Sequence, residues 1–291
     1  MTHSEAVARV REIQAAEKGL NPVCGYGLLD HGRRAERAIV LIHGFTSCPK
    51  MYEALAAELH RGGANIVVPR LPLHGLADRM NEELRLLSAA DMSATVSEAL
   101  EIGAGMGEKV TVVGISLGGI LTAWLAQFRP GVDRAVVISP LFSIPVVPEW
   151  FSDLLGFVAD KAPNFYLWWD RKGKANPPGP PYGYPRFPSH GYGEMLKLAH
   201  DVKSSARREP PRSPGDVRVV VNLADPAVNN VSTFRVADAW RRHSASVKTY
   251  EFPRELGLGH DIISPEQSYA RTGVTYPVLI DWIGSEVPSG T

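Results

Sequence analysis

Five runs rich in valine and isoleucine, and a sixth of mixed composition, alternate with helical patterns along this chain, and that alternation limits the fold more than any other feature. The runs are AERAIVLIHG (35–44), ANIVVPR (64–70), KVTVVGIS (109–116), DRAVVISPL (133–141), DVRVVVNLAD (216–225) and ASVKTYEFP (245–253). Near-continuous apolar strands separated by helices predict a parallel sheet covered on both faces. The helical stretches are MYEALAAELHRGG, closed by Gly62 and Gly63, then SAADMSATVSEALEIGAGMG, LGGILTAWLAQF and VSTFRVADAWRRHS. A last one, SPEQSYARTGVTYPVLIDWIGS, is expected to be kinked or interrupted by Pro277. Val7, Val10, Ile13 and Ala16 predict a short amphipathic helix at the start. The fold class is α/β, with a doubly wound, mostly parallel sheet.

The alternation breaks between the strand at 135–141 and the strand at 217–223. Residues 142–215 begin aromatic-rich, with Phe142, Trp150, Phe151, Phe157, Phe165, Tyr166, Trp168 and Trp169. They continue into NPPGPPYGYPRFPSHGYG, which is too rich in proline and glycine for regular helix or strand. An insertion this long is expected to be functional. The segment reads as a cap over the C-terminal edge of the sheet, where open α/β folds bind ligands. The core is then 1–141 with 216–291. A linker between two domains is the alternative, but too few strands follow to build a second domain.

Bulk properties exclude more than they assign. Lys+Arg and Asp+Glu number 31 each, so nothing in the charge calls for nucleic acid or an anionic membrane. No apolar run reaches the roughly 18 residues that span a bilayer. The first twenty residues carry charges throughout and lack the apolar stretch of a secretory leader. Cys24 and Cys48 fit neither a disulfide framework nor a metal-ligand spacing. They read as free thiols, and the expected location is the cytoplasm.

GISLGG (114–119) places one hydroxyl where a strand becomes a helix. A lone G-x-S-x-G is a weak signal, and a serine before a helix is also a common cap. Its setting sharpens it: Ser116 would project from the sheet edge beside the unpaired N–H groups of a helix N-terminus. A nucleophilic serine needs a base, and the base needs an orienting acid. Asp225 ends the strand VRVVVN and its loop, and His260 lies in a Gly-rich loop after the last strand. The order Ser116, Asp225, His260 is the one expected on this scaffold.

With these motifs the chain resembles the α/β-hydrolase family, in particular its carboxylesterase and monoacylglycerol-lipase-like branch. The resemblance rests on LIHGFTS (41–47), GISLGG (114–119), LADPAVN (223–229) and GLGHD (257–261), and leaves most of the cap uncovered. It implies Ser116 as nucleophile, His260 as base and Asp225 as triad acid. It also implies an oxyanion hole from the backbone N–H groups of Phe45 and Leu117, with Gly44 lacking a Cβ that would block the approach. Serine at 116 argues against the dehalogenase and epoxide-hydrolase chemistry that similar proteins run with aspartate. No metal or organic cofactor is implied. The expected partner is a small apolar ester; oligomeric state is not legible.

Each role has rivals among the nine histidines and the carboxylates. His43 is expected to brace the oxyanion loop and His74 to be structural. Glu149 is the second choice of acid, Asp216 lies at the wrong sheet edge, and Asp261 adjoins the base. Cys48 is expected to fill space, and Lys203, Arg207, Arg208 and Arg212 to be solvated. The cap aromatics fit either packing or an acyl pocket. The same machinery suits thioesters, lactones, amides, carbon–carbon bonds or acyl transfer. A ligand sensor with little turnover, or a non-catalytic interaction protein, remains a different class of reading.

Overall fold

All six runs are strands of one sheet in the structure, a computed structural model that describes residues 1–170, 179–213 and 215–284. The described elements, in chain order, are α1 (His3–Ala16), β1 (Gly27–Leu29), β2 (Ala35–Ile42), α2 (Glu53–Arg61), β3 (Asn65–Val68), α3 (Ala89–Met106), β4 (Gly107–Ile115), α4 (Leu117–Phe128) and β5 (Arg134–Ile138). They continue with α5 (Glu149–Val158), β6 (Tyr166–Trp168), β7 (Arg186–Pro188), α6 (Ser189–Ala206), β8 (Val217–Asn222), α7 (Asn230–Arg242), β9 (Val247–Phe252) and α8 (Thr272–Gly284).

Among the described residues the sheet runs β1-β3-β2-β4-β5-β8-β9. Every pair is parallel except β1 with β3. The fold is a mostly parallel α/β sheet flanked by helices. β4 and β5 are central, so Val112, Val113, Val136 and Ile138 are fully buried. One core layer packs α1, α3, α4, α6 and α7 on one face of the sheet, and a second packs α2 and α8 on the other. The antiparallel edge strand β1 has only three residues, too few for a periodicity to register.

Four expectations need correction. Cys24 and Cys48 are bonded to each other across a separation of 24 residues. Their pairing depends on how the segment before β1 folds back over the loop after β2, which spacing does not encode. The pair is no longer a reason to expect a reducing compartment. Of the two effects expected of Pro277, interruption does not occur, since the residue stands within α8. It lies in the second turn, where the missing N–H deprives only the Gly273 carbonyl of its usual partner.

The Pro/Gly-rich stretch does hold regular structure: β7 pairs with β6, and α6 begins at Ser189. Its polar start hides the amphipathic run that follows. Residues 176–178 of that stretch lie outside the described residues. Lastly, Lys203 is not solvated. It is buried and paired with Asp153, while Arg207 pairs with Glu149. No helix among the described residues is long and apolar enough to cross a membrane.

Candidate active site

The turn from β4 into α4 is built by close backbone contact. A Cβ on Gly114 would sit 2.1 Å from Gly118 O, and one on Gly118 would sit 2.0 Å from Ile42 O. Only glycine allows the helix to lie this tightly on β4 and β2. Ser116 between them takes φ 60° and ψ −114°, a region non-glycine residues avoid. Its own N–H is tied to Ile138 O at 3.1 Å, and its carbonyl accepts from Ile120 at 3.0 Å. Strain of this kind persists where the surroundings enforce it. The hydroxyl therefore stands at the first residue before a helix, next to the Leu117 N–H.

His260 and Asp225 come together from the loops after β9 and β8. The His260 Nδ1–H donates to Asp225 Oδ2 at 2.7 Å, and the Asp225 side chain is fully buried. Asp225 Oδ1 accepts the Ala227 N–H at 2.8 Å, so both carboxylate oxygens are engaged. This bond fixes the neutral imidazole with its other nitrogen, Nε2, unprotonated. Burial pushes His260 toward the neutral form. The Asp225 hydrogen bond and charge, joined by the charge of Asp261, outweigh it and raise the pKa above 6.5.

Ser116 and His260 both line one cavity of about 370 Å³, with Phe45, Thr46, Leu141, Trp169, Tyr192 and Met195 among its walls. Among the described residues the Ser116 hydroxyl forms no hydrogen bond with His260. Such contacts are commonly long without substrate. The Phe45 and Leu117 N–H groups likewise have no partner among the described residues, which leaves both able to receive an anion. A Cβ on Gly44 would make only ordinary 3.7 Å contacts with Ile115 O and Ser116 Cβ. The protein itself therefore leaves room there, and the expected need for glycine is not one its own packing creates.

The rival residues are engaged elsewhere. Glu149 binds Arg207, Arg235 and Ser232 at the start of α5. Asp216 binds Arg134 and Arg218 where β8 begins, at the opposite end from Asp225. Asp261 accepts the Ile263 and Ser264 N–H groups and Gln267.

His43 accepts the Leu71 N–H on Nε2 at 3.0 Å, so its Nδ1–H donates to Gly44 O at 2.9 Å. It links the loop after β2 to the loop after β3, as a brace does. Burial and the neighbouring His74 hold it neutral, with a pKa well below 6.5. His74 is also fully buried, and burial lowers its pKa to about 4.

Asn222 was not anticipated. From the end of β8 its Nδ2 donates to Leu258 O at 3.1 Å and Gly259 O at 2.9 Å, while its Oδ1 accepts the Ala224 N–H at 3.0 Å. It thus joins the acid loop to the histidine loop. The available signal was an amide ending a valine-rich strand, which asks for buried partners.

The thermostable monoacylglycerol lipase of Bacillus sp. (strain H-257) is 30% identical over 109 residues, 38% of this chain. The match spans only 42% of that enzyme's length. A structure from work on LipS and LipT, two metagenome-derived lipolytic enzymes, superposes with a TM-score of 0.67 at 16% identity, covering 92% of this chain and 100% of that one. The Paleococcus ferrophilus monoacylglycerol lipase gives 0.65 at 18% identity, covering 89% and 98%. At these identities the structural likeness concerns the fold. The alpha/beta hydrolase family model matches residues 39–272, from within β2 to the first residue of α8. With the sheet order and the strand–serine–helix turn in agreement, the chain belongs to the alpha/beta hydrolase family.

Proposed function

We propose that this chain is a serine hydrolase that cleaves carboxylic esters of small or medium apolar acids through an acyl-enzyme. Ser116 attacks the ester carbonyl while His260 Nε2 takes its proton. Asp225 holds the imidazole in that tautomer and stabilises the imidazolium. The Phe45 and Leu117 N–H groups receive the oxyanion, each supplying about 3 kcal/mol of barrier lowering. His260 then protonates the leaving alcohol, and water repeats the sequence to free the acid. The cycle calls on no metal or organic cofactor.

The observation that carries this reading is the buried Asp225–His260 hydrogen bond at a cavity that Ser116 also lines. The size and aromatic walls of the cavity favour an apolar acyl group, since pockets of several hundred Å³ suit small ligands. The lipase names of the relatives point the same way. In this reading 142–215 is the cap that roofs the cavity, and 1–141 with 216–291 form the core.

A ladder of p-nitrophenyl esters of increasing acyl length, run beside Ser116→Ala, tests it. Turnover that peaks at short or medium chains and disappears in the variant is expected. Turnover retained by a folded Ser116→Ala chain would sink the reading. A competing alcohol in the same assay distinguishes hydrolysis from acyl transfer.

A further inference from the structure

Thr46 follows Phe45 and has a φ of 62°, which β-branched residues rarely adopt. Such a conformation lasts only when neighbours over-determine it. Two of the bonds that hold it come from the insertion, more than a hundred residues away. Trp169 Nε1–H donates to Thr46 Oγ1 at 2.9 Å, and the Tyr184 N–H donates to Thr46 O at 2.8 Å. Thr46 Oγ1–H in turn donates to Phe45 O at 2.6 Å. A relay thus runs from the Trp169 indole through the Thr46 hydroxyl to the Phe45 carbonyl. The indole is steadied by Phe187, with ring centroids 4.3 Å apart, and Phe187 also meets the Phe45 ring at 5.9 Å.

The Phe45 carbonyl and the Phe45 N–H flank one Cα. The N–H lies in the Gly44–Phe45 peptide and the carbonyl in the Phe45–Thr46 peptide, and φ and ψ of Phe45 couple the two planes. Without the bonds from Trp169 and Tyr184, Thr46 would be free to relax to negative φ, and the Phe45–Thr46 peptide would lose its fixed orientation. We propose that Trp169 is a positioning residue which, through Thr46, aims the Phe45 N–H at the developing oxyanion. The cap then does more than enclose substrate: it completes the electrostatic half of the core's catalytic centre. This inference rests on the serine-hydrolase reading above.

Trp169→Phe keeps an aromatic ring against Phe187 and removes the donor, at the cost of some ring volume in the cavity wall. Thr46→Val removes the relaying hydroxyl, and Thr46→Ser keeps it. With a p-nitrophenyl ester, the first two each lower kcat about tenfold or more while KM stays within about twofold. Thr46→Ser retains most of the parent rate. The double variant Trp169→Phe, Thr46→Val is no slower than the slower single variant, because both cut one relay. Fluorophosphonate labelling of Ser116 slows in step, since the phosphoryl oxygen occupies the same hole.

A parent-like kcat in Trp169→Phe, a loss confined to KM, or losses that multiply in the double variant would each overturn the relay. If Trp169→Phe fails to fold by circular dichroism, Thr46→Val against Thr46→Ser decides the same question. A parent chain whose Ser116 takes no label removes the serine-hydrolase reading itself. Rapid labelling of the parent with an equal rate in Trp169→Phe removes the relay alone.

Discussion

The loop carrying His260 and the loop carrying Phe45 face one cavity but are held by different parts of the molecule. The histidine loop is fixed from within the sheet: Asn222 at the end of β8 binds two of its carbonyls, and Asp225 from the same connection binds its imidazole. The Phe45 loop is fixed from outside the sheet. His43 ties it to the loop after β3, the Cys24–Cys48 bond ties it to the N-terminal segment, and Trp169 and Tyr184 tie it to the insertion. On the proposed mechanism, proton transfer is built into the core, whereas the Phe45 share of charge stabilisation depends on elements packed around it. Damage to the core should stop the chemistry, and damage to the periphery should weaken it.

The sharpest separation comes from the core. Ser116→Ala should lower kcat by about 10⁶-fold with the thermal midpoint almost unchanged, measured by ester turnover and calorimetry. Asp225→Asn should lose about 10⁴-fold, because an amide can hold the wrong tautomer of His260. A loss below tenfold would shift the acid role to another carboxylate.

The periphery should reveal itself through acid sensitivity. His74, in edge contact with Phe45, stays neutral down to about pH 4 in the folded chain, while an unfolded histidine titrates near 6.5. The unfolded state therefore binds the extra proton between these values. Stability is full above pH 6.5 and declines as the pH falls toward 4, by about 3 kcal/mol from this residue. His43 adds in the same direction. Urea unfolding at pH 7 and pH 4.5 measures the slope, and His74→Gln should flatten it.

His260 has the opposite sign. Its raised pKa contributes stability below pH 6.5 that is lost as pH rises through the folded value.

Two smaller effects sharpen the picture of the histidine loop. Asn222→Ala should cost about 10- to 50-fold in kcat through misplacement of His260. A loss seen only in KM would mean that Asn222 does not position the base. Because His260 accepts a proton only when neutral, kcat/KM should rise with pH through a limb above 6.5. Asp261→Asn should move that limb to lower pH by removing one of the charges that raise it. An unmoved limb would remove Asp261 from the account.

Local features were legible wherever one short stretch carried its own physics. The valine-rich runs became strands because burial on both faces favours apolar side chains at successive positions. The turn at Gly114 and Gly118 was readable as a G-x-S-x-G pattern set between a strand and a helix. The insertion was legible as an interruption, but its helix α6 was hidden behind SHGYG, and the burial of Lys203 beside Asp153 depended on how α5 lies across α6. Asn222 was a visible polar oddity whose partners, 36 and 37 residues away, were not.

The sequence by itself determined the parallel sheet and the strand–serine–helix turn, because periodicity and glycine placement act over a few residues. Only the tertiary structure decided that Cys24 meets Cys48, that Trp169 reaches Thr46 and that Asn222 spans two loops. Those contacts join segments whose separation along the chain says nothing of their distance in space. They are set by how helices and loops pack over the sheet, and each is made by a hydrogen bond or covalent bond that works only across a few ångströms.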